Sequence, residues 1–246
     1  MTRLVRSLAL LTLLTFLGAG QAGAQRYRIE YTIAMPDPAS HLYSISMFIS
    51  GLAGAPVDLQ MPVWSPGRYG KMDFAKNVQD FRALASDGKP MRWEKITGSR
   101  WRIHPGAARS VRVSYRAFAN SPMSGTFSVL DTLHANFNGP SLFLYVEGHK
   151  RDSVTLSILP PDNWIVINGE VTRPGQRFFK FPNYDLMVDT PTEVAPPGAL
   201  LLDTFGVDTR YYRVMVHHNG AVSDSTRRRF VQDLENIVRY QHTVFG

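Results

Sequence analysis

Apolar and polar residues alternate along the chain from the start of its β-rich part. In "YRIEYTIAM", Tyr27, Ile29, Tyr31 and Ile33 share one face, and Arg28, Glu30 and Thr32 share the other. A period of two marks a strand with one buried face. "HLYSISMFI" repeats the pattern through Tyr43, Ile45, Met47 and Ile49, and Asp37-Pro38 marks a turn between the two runs. "SVRVSYRAF" alternates again through Val111, Val113 and Tyr115. Shorter runs lie around these: "VDLQM", "VQDFRAL" ending at Asp87-Gly88, and "MRWEKI" and "RWRIH" flanking Thr97-Gly98-Ser99. "GTFSVL", "SLFLYV", "SVTLSIL", "WIVI" and "RFFKF" follow. Many short strands separated by Gly, Pro and Asn predict a mainly β fold. The expected unit is a two-sheet β-sandwich-like domain over residues 25–190.

The pattern changes at "PTEVAPPGA", a Pro-rich connection over residues 191–199. Beyond it, "YYRVMVHH" predicts one more strand. "SDSTRRRFVQDLENIVRYQHTVF" then switches to helical period, and Phe230, Leu234, Ile237, Val238 and Phe245 form one apolar stripe. Asp224 or Ser225 is the expected N-cap. Arg227, Arg228 and Arg229 sit near the start of this helix, where the dipole disfavours cations, so packing must stabilise it. One strand and one amphipathic helix do not make a domain. Residues 200–246 are therefore expected to open a further domain that is truncated here, with Phe230, Leu234 and Ile237 packing on the missing part.

Composition changes the picture mainly at the N-terminus. Arg3 and Arg6 precede the apolar run Ser7 to Gly20, and "AGAQ" offers a small-x-small cleavage pattern after Ala24. Residues 1–24 are expected to be a signal peptide, too short for a comfortable membrane span. The chain has no cysteine, so no disulfide can form. Small secreted eukaryotic domains usually need disulfides, so the expected location is the periplasm or exterior of a bacterium. The formal net charge is +7, with basic residues scattered rather than arranged as a stripe. Nucleic acid is not an expected partner. No Ser sits in a Gly-x-Ser-x-Gly elbow, and there is no glycine-rich phosphate loop.

The stretch "MPVWSPGRYG" holds Trp64 and Tyr69 around Pro66-Gly67. Pro fixes φ and Gly accepts positive φ, which suits the centre of a type II turn. Two roles are open to the loop. Its aromatics fold onto the sheet as a plug for a tight corner, or they form a rigid surface that touches a ligand.

Taken together, these segments resemble the N-terminal region of the glycyl-aminopeptidase family of zinc metallopeptidases, which are gluzincins often carrying a PDZ domain. The resemblance rests on "MPVWSPGRYGKMDFAKNVQDFRA", "ASHLYSISMFISG", "RWRI", "VRVSYRAFA", "LHANFNGPSLFLYVEG", "PDNWIV", "NYDLMVDTPTEV" and the terminal "DLENIVRYQHTVFG". Arg68 and Thr190 depart from the family, where Ser is common. The resemblance implies an N-terminal β domain ahead of a thermolysin-like catalytic domain that binds zinc through His-Glu-x-x-His.

That motif is absent. None of His41, His104, His134, His149, His217, His218 and His242 has a Glu in the required frame. His217 and His218 are neighbours on a predicted strand and point to opposite faces, so they cannot hold one ion together. No catalytic residue, metal ligand or cofactor is therefore assigned to this chain, which alone should be inactive, although the full-length family uses zinc. The resemblance does point to substrate-binding positions: the rigid loop carrying Trp64 and Tyr69 would face the missing catalytic domain and help shape the substrate cleft. An aminopeptidase must hold the substrate's ammonium group, and Glu193, at the junction, is placed to supply a carboxylate for it. The other reading of Glu193 is a solvated junction carboxylate. Asp185 and Asp189 are expected to cap turns and Tyr184 to lie in the core.

Two functions follow. The first is a non-catalytic scaffold and substrate-cleft domain of an exported glycyl-aminopeptidase-like enzyme, with peptide as substrate. The second is a free-standing secreted β-sandwich that binds a peptide or glycan through the Trp64–Tyr69 loop.

Overall fold

The structure is a computed structural model that describes residues 26–67, 70–120, 128–170, 173 and 175–246. The expected leader, residues 1–24, and Tyr69 lie outside the described residues. The chain runs through β1 (Arg28–Ala34), β2 (Leu42–Ser50), β3 (Val57–Gln60), β4 (Val78–Ala85), β5 (Arg92–Thr97), β6 (Arg100–His104) and β7 (Ser110–Phe118). It continues through β8 (Val129–Leu130), β9 (Ala135–Phe137), β10 (Tyr145–Val146), β11 (Val154–Leu159), β12 (Ile165–Asn168) and β13 (Phe178–Phe181). A short helix α1 (Tyr184–Val188), strands β14 (Thr192–Ala195), β15 (Leu200–Val207) and β16 (Arg210–His217), and helix α2 (Asp224–Phe245) complete it.

The mainly β expectation holds. A six-stranded sheet of order β13-β11-β1-β2-β7-β4 carries the alternating runs. Its register sets Ile29 opposite Ile49 and Tyr31 opposite Met47. It also sets Ile45 opposite Tyr115 and Met47 opposite Val113. All of these side chains are buried, so the face read from the sequence is the core face. Two four-stranded sheets, β10-β3-β6-β5 and β12-β14-β9-β8, and the β15-β16 pair complete the architecture.

"SLFLYV" departs from the strand expected of it. Only Tyr145 and Val146 enter a strand, while Leu142, Phe143 and Leu144 are irregular yet fully buried. Buried backbone must find partners, and tyrosines supply them. The hydroxyls of Tyr115, Tyr184 and Tyr31 donate to the carbonyls of Leu142 (2.8 Å), Phe143 (2.6 Å) and Leu144 (2.9 Å). An apolar run without alternation gave no sign of this. Gly139 just ahead allows the turn to touch the end of α1: a Cβ there would meet Val188 Cα at 2.5 Å. The "GTFSVL" run also yields only β8, Val129–Leu130, in its described part.

The Pro-rich stretch 191–199 is not a free connection along its length. Thr192–Ala195 forms β14, paired with β12 on one side and β9 on the other. After it come two strands instead of one. "LLLDTFGV" forms β15, hidden from a period-two reading by three consecutive leucines, and pairs with β16 from Leu200↔His217 to Val207↔Arg210.

Helix α2 begins one residue earlier than expected: Ser223 is the N-cap, its hydroxyl accepting from Thr226 N at 3.1 Å. Arg227 compensates for its position near the helix start by bonding Asp203 and the Leu202 carbonyl, each at 2.9 Å. The apolar stripe divides. Val231, Leu234 and Val238 are partly covered, whereas Phe230, Ile237 and Phe245 are exposed. Among the described residues, no helix is long and apolar enough to cross a membrane.

Candidate functional site

Among the described residues, His134, Glu193 and His217 gather where the turn before β9, strand β14 and the end of β16 meet. Strand β14 is internal to its sheet and sets Glu193 opposite Asn136 of β9. Alternation turns Thr192 and Val194 into the core and leaves Glu193 on the other face, partly accessible. His134 immediately precedes β9 and is fixed by a tight turn. Asp131 Oδ1 accepts from the backbone N–H groups of Leu133 (2.7 Å) and His134 (2.9 Å), an Asx-type turn. His217, the last residue of β16, brings its ring against that of His134, with centroids 4.2 Å apart and planes 13° from parallel.

Glu193 is held from two sides. His134 Nδ1 lies 2.9 Å from Oε1, and Asn136 Nδ2 donates to Oε2 at 2.9 Å. His217 Nδ1 lies 3.9 Å from Oε1. The three side chains are only about one-fifth exposed, at 21%, 17% and 18% in the order His134, Glu193, His217. Beneath them, the Tyr43 hydroxyl donates to the Val129 carbonyl at 2.7 Å. Burial pushes that phenol's pKa up, and the charges of Glu193 and Asp131 add to the effect.

The two histidines titrate in opposite directions. The hydrogen bond to Glu193 raises the pKa of His134 against the opposing pull of burial. Burial, and then the neighbouring His134, lower that of His217. A histidine whose folded pKa is raised stabilises the fold below its unfolded value, and the contribution is lost as pH rises through the folded value. NMR titration of the histidine rings in metal-free buffer should place the His134 midpoint above the ordinary value of about 6.5 and the His217 midpoint below it. Coincident midpoints would contradict the geometry.

Of the substrate-binding positions read from the sequence, Glu193 lies in this cluster and Trp64 does not. Trp64 lines a separate groove of about 680 Å³ with Pro62, Pro66, Pro140 and α1 residues. The turn chemistry is as expected, with Gly67 at φ +77°. The corner plug is not borne out for Trp64, which is 58% exposed; Ser65 fills the buried position instead. Tyr184 is core, as expected. Asp185 lies in the first turn of α1 and pairs with Lys150 Nζ at 2.9 Å, and Asp189 is the C-cap of α1.

Reading the sequence missed His134, Asn136 and His217. The first two lie two apart in "LHANFN", a spacing that sets side chains on one side of an extended segment, and that spacing was the available signal. The His-Glu-x-x-His motif of a gluzincin zinc site is absent from the sequence, and His134, Glu193 and His217 come from three separate segments.

Comparison with known proteins agrees with this architecture. A crystal structure of an aminopeptidase N family protein from Idiomarina loihiensis superposes with a TM-score of 0.79 at 26% identity. The match covers 88% of this chain and 36% of that one. An M1 zinc metallopeptidase from Deinococcus radiodurans matches at 14% identity and a TM-score of 0.40, over 83% of this chain and 51% of that one. A search of curated proteins found no match. The Peptidase M61 N-terminal domain family matches residues 30–196, and the chain belongs to that family.

Proposed function

We propose that this chain is the non-catalytic N-terminal platform of an exported aminopeptidase-like enzyme, and that it lends Glu193 to the substrate cleft. The observation that carries this reading is the presentation of Glu193. Its carboxylate is partly buried and oriented by His134 and Asn136, yet still accessible. An anchored, partly desolvated carboxylate is suited to the α-ammonium group of a peptide, because charge-assisted hydrogen bonds strengthen as water is excluded. A solvated junction carboxylate would need no such support.

The rest of the molecule fits a platform. The chain covers about a third of the Idiomarina protein's length. Helix α2 exposes Phe230 and Ile237, and Leu234 is only partly covered. In this reading a thermolysin-like catalytic domain, with its own zinc, covers that stripe. The β platform then ends after β14, which is paired on both sides, and before the β15–β16 hairpin. Export rests on the charged and apolar pattern of residues 1–24.

The purified chain, supplied with zinc and a glycine anilide, should show no turnover. Metal-dependent cleavage by this chain would overturn the assignment of a platform without catalytic groups.

A further inference from the structure

We propose that His134, Glu193 and His217 form a binding site for a divalent transition-metal ion, with zinc as the favoured occupant. One ligand atom from each residue lies within 4.8 Å of the others. Two imidazole nitrogens and a carboxylate oxygen form a donor set that zinc accepts, with a fourth position left for water. Such a set disfavours calcium and magnesium, which take oxygen ligands. With bonds of about 2.0–2.1 Å, a tetrahedral ion separates its ligands by about 3.3 Å. The observed Nδ1–Oε1 separations of 2.9 Å for His134 and 3.9 Å for His217 bracket that value. Loading therefore requires a small opening on one side, a small closure on the other, and a tilt of the two nearly parallel rings until their lone pairs converge.

The surroundings also match a metal site. Metal-bound histidines usually present their second ring nitrogen to a carboxylate or carbonyl, which fixes the ring. His134 Nε2 faces Asp131 Oδ2 at 4.0 Å, and Asp131 is itself held through its other oxygen by the turn. Asn136 restrains Glu193 Oε2, leaving Oε1 toward the two rings. Glu193 lies on β14, His217 ends β16 and His134 sits in the turn leading into β9, so an ion would tie the β16 end of the hairpin to the β14-β9 sheet. The proposal does not rest on the ammonium-binding reading. Both use Glu193, so metal and amine compete for it.

The test is titration of the metal-free chain with Zn²⁺ by calorimetry, and with Co²⁺ by visible absorption. One equivalent should bind, with a dissociation constant in the micromolar range or tighter. Co²⁺ should selectively broaden the ring protons of His134 and His217 in the unsubstituted chain. His134→Ala and His217→Ala should each weaken binding at least tenfold, while His218→Ala, altering the histidine that follows β16, should leave it unchanged. The NMR arm needs no variant, so the proposal remains falsifiable if a substituted chain fails to fold. Failure to bind at 100 µM metal, or broadening of other histidines only, would overturn the site and leave the platform reading intact. Turnover that disappears in His217→Ala would do the reverse.

Discussion

Phe143→Ala lowers the unfolding free energy of the chain by about 4 kcal/mol, at the centre of the range for deleting a buried aromatic ring. The ring is fully buried and meets Tyr31 edge-on at 5.5 Å and Phe137 at 6.1 Å. Its loss removes apolar burial and leaves a cavity between the rings of Tyr31 and Phe137. The Tyr31 hydroxyl stays fixed on the Leu144 carbonyl, and the Phe143 carbonyl stays fixed by Tyr184. The backbone therefore cannot collapse readily into the space. Denaturant unfolding followed by tryptophan fluorescence measures the change. Leu159→Ala serves as the comparison, because Leu159 is 51% exposed and its truncation should cost no more than about 0.5 kcal/mol. A loss below about 1 kcal/mol for Phe143→Ala would mean that the tyrosine-supported segment is not the core it appears in the structure.

That segment also shows where the sequence was legible and where it was not. Strands β1, β2 and β7 are long, alternate cleanly and pair with one another, so local pattern and tertiary burial agree. Leu142 to Leu144 read as strand because the run is apolar. Their carbonyls accept from tyrosine hydroxyls 27 to 113 residues away, which no local window contains. Strand β15 was missed because Leu200, Leu201 and Leu202 mask its alternation. β14 was read as linker because prolines flank it, although four residues suffice for a central strand once both neighbours pair.

The candidate site was legible in one residue of three. Glu193 stood out by its place beside "DTP" and by the family resemblance. His134 lies 59 residues from it, and the two meet only because β14 pairs with β9. His217 arrives from another sheet. His217 ends β16 and His218 lies beyond it, so strand alternation does not govern that pair; the ion proposed here is shared by His217 and His134. Periodicity places side chains on faces; it does not say which faces meet.

The account depends most on Glu193 acting as a charge partner for the substrate amine. The direct measurement is the ratio of kcat/KM for a free-amine substrate to that for its N-acetylated form. It is made in a polypeptide that carries this domain ahead of its zinc domain, before and after Glu193→Gln. The substitution keeps the shape and a hydrogen-bond acceptor but removes the charge. A hydrogen bond to a charged group contributes about 1.5–3 kcal/mol, so the ratio should fall about 10- to 100-fold, chiefly through loss of the free-amine reaction. An unchanged ratio in a folded variant would contradict the account.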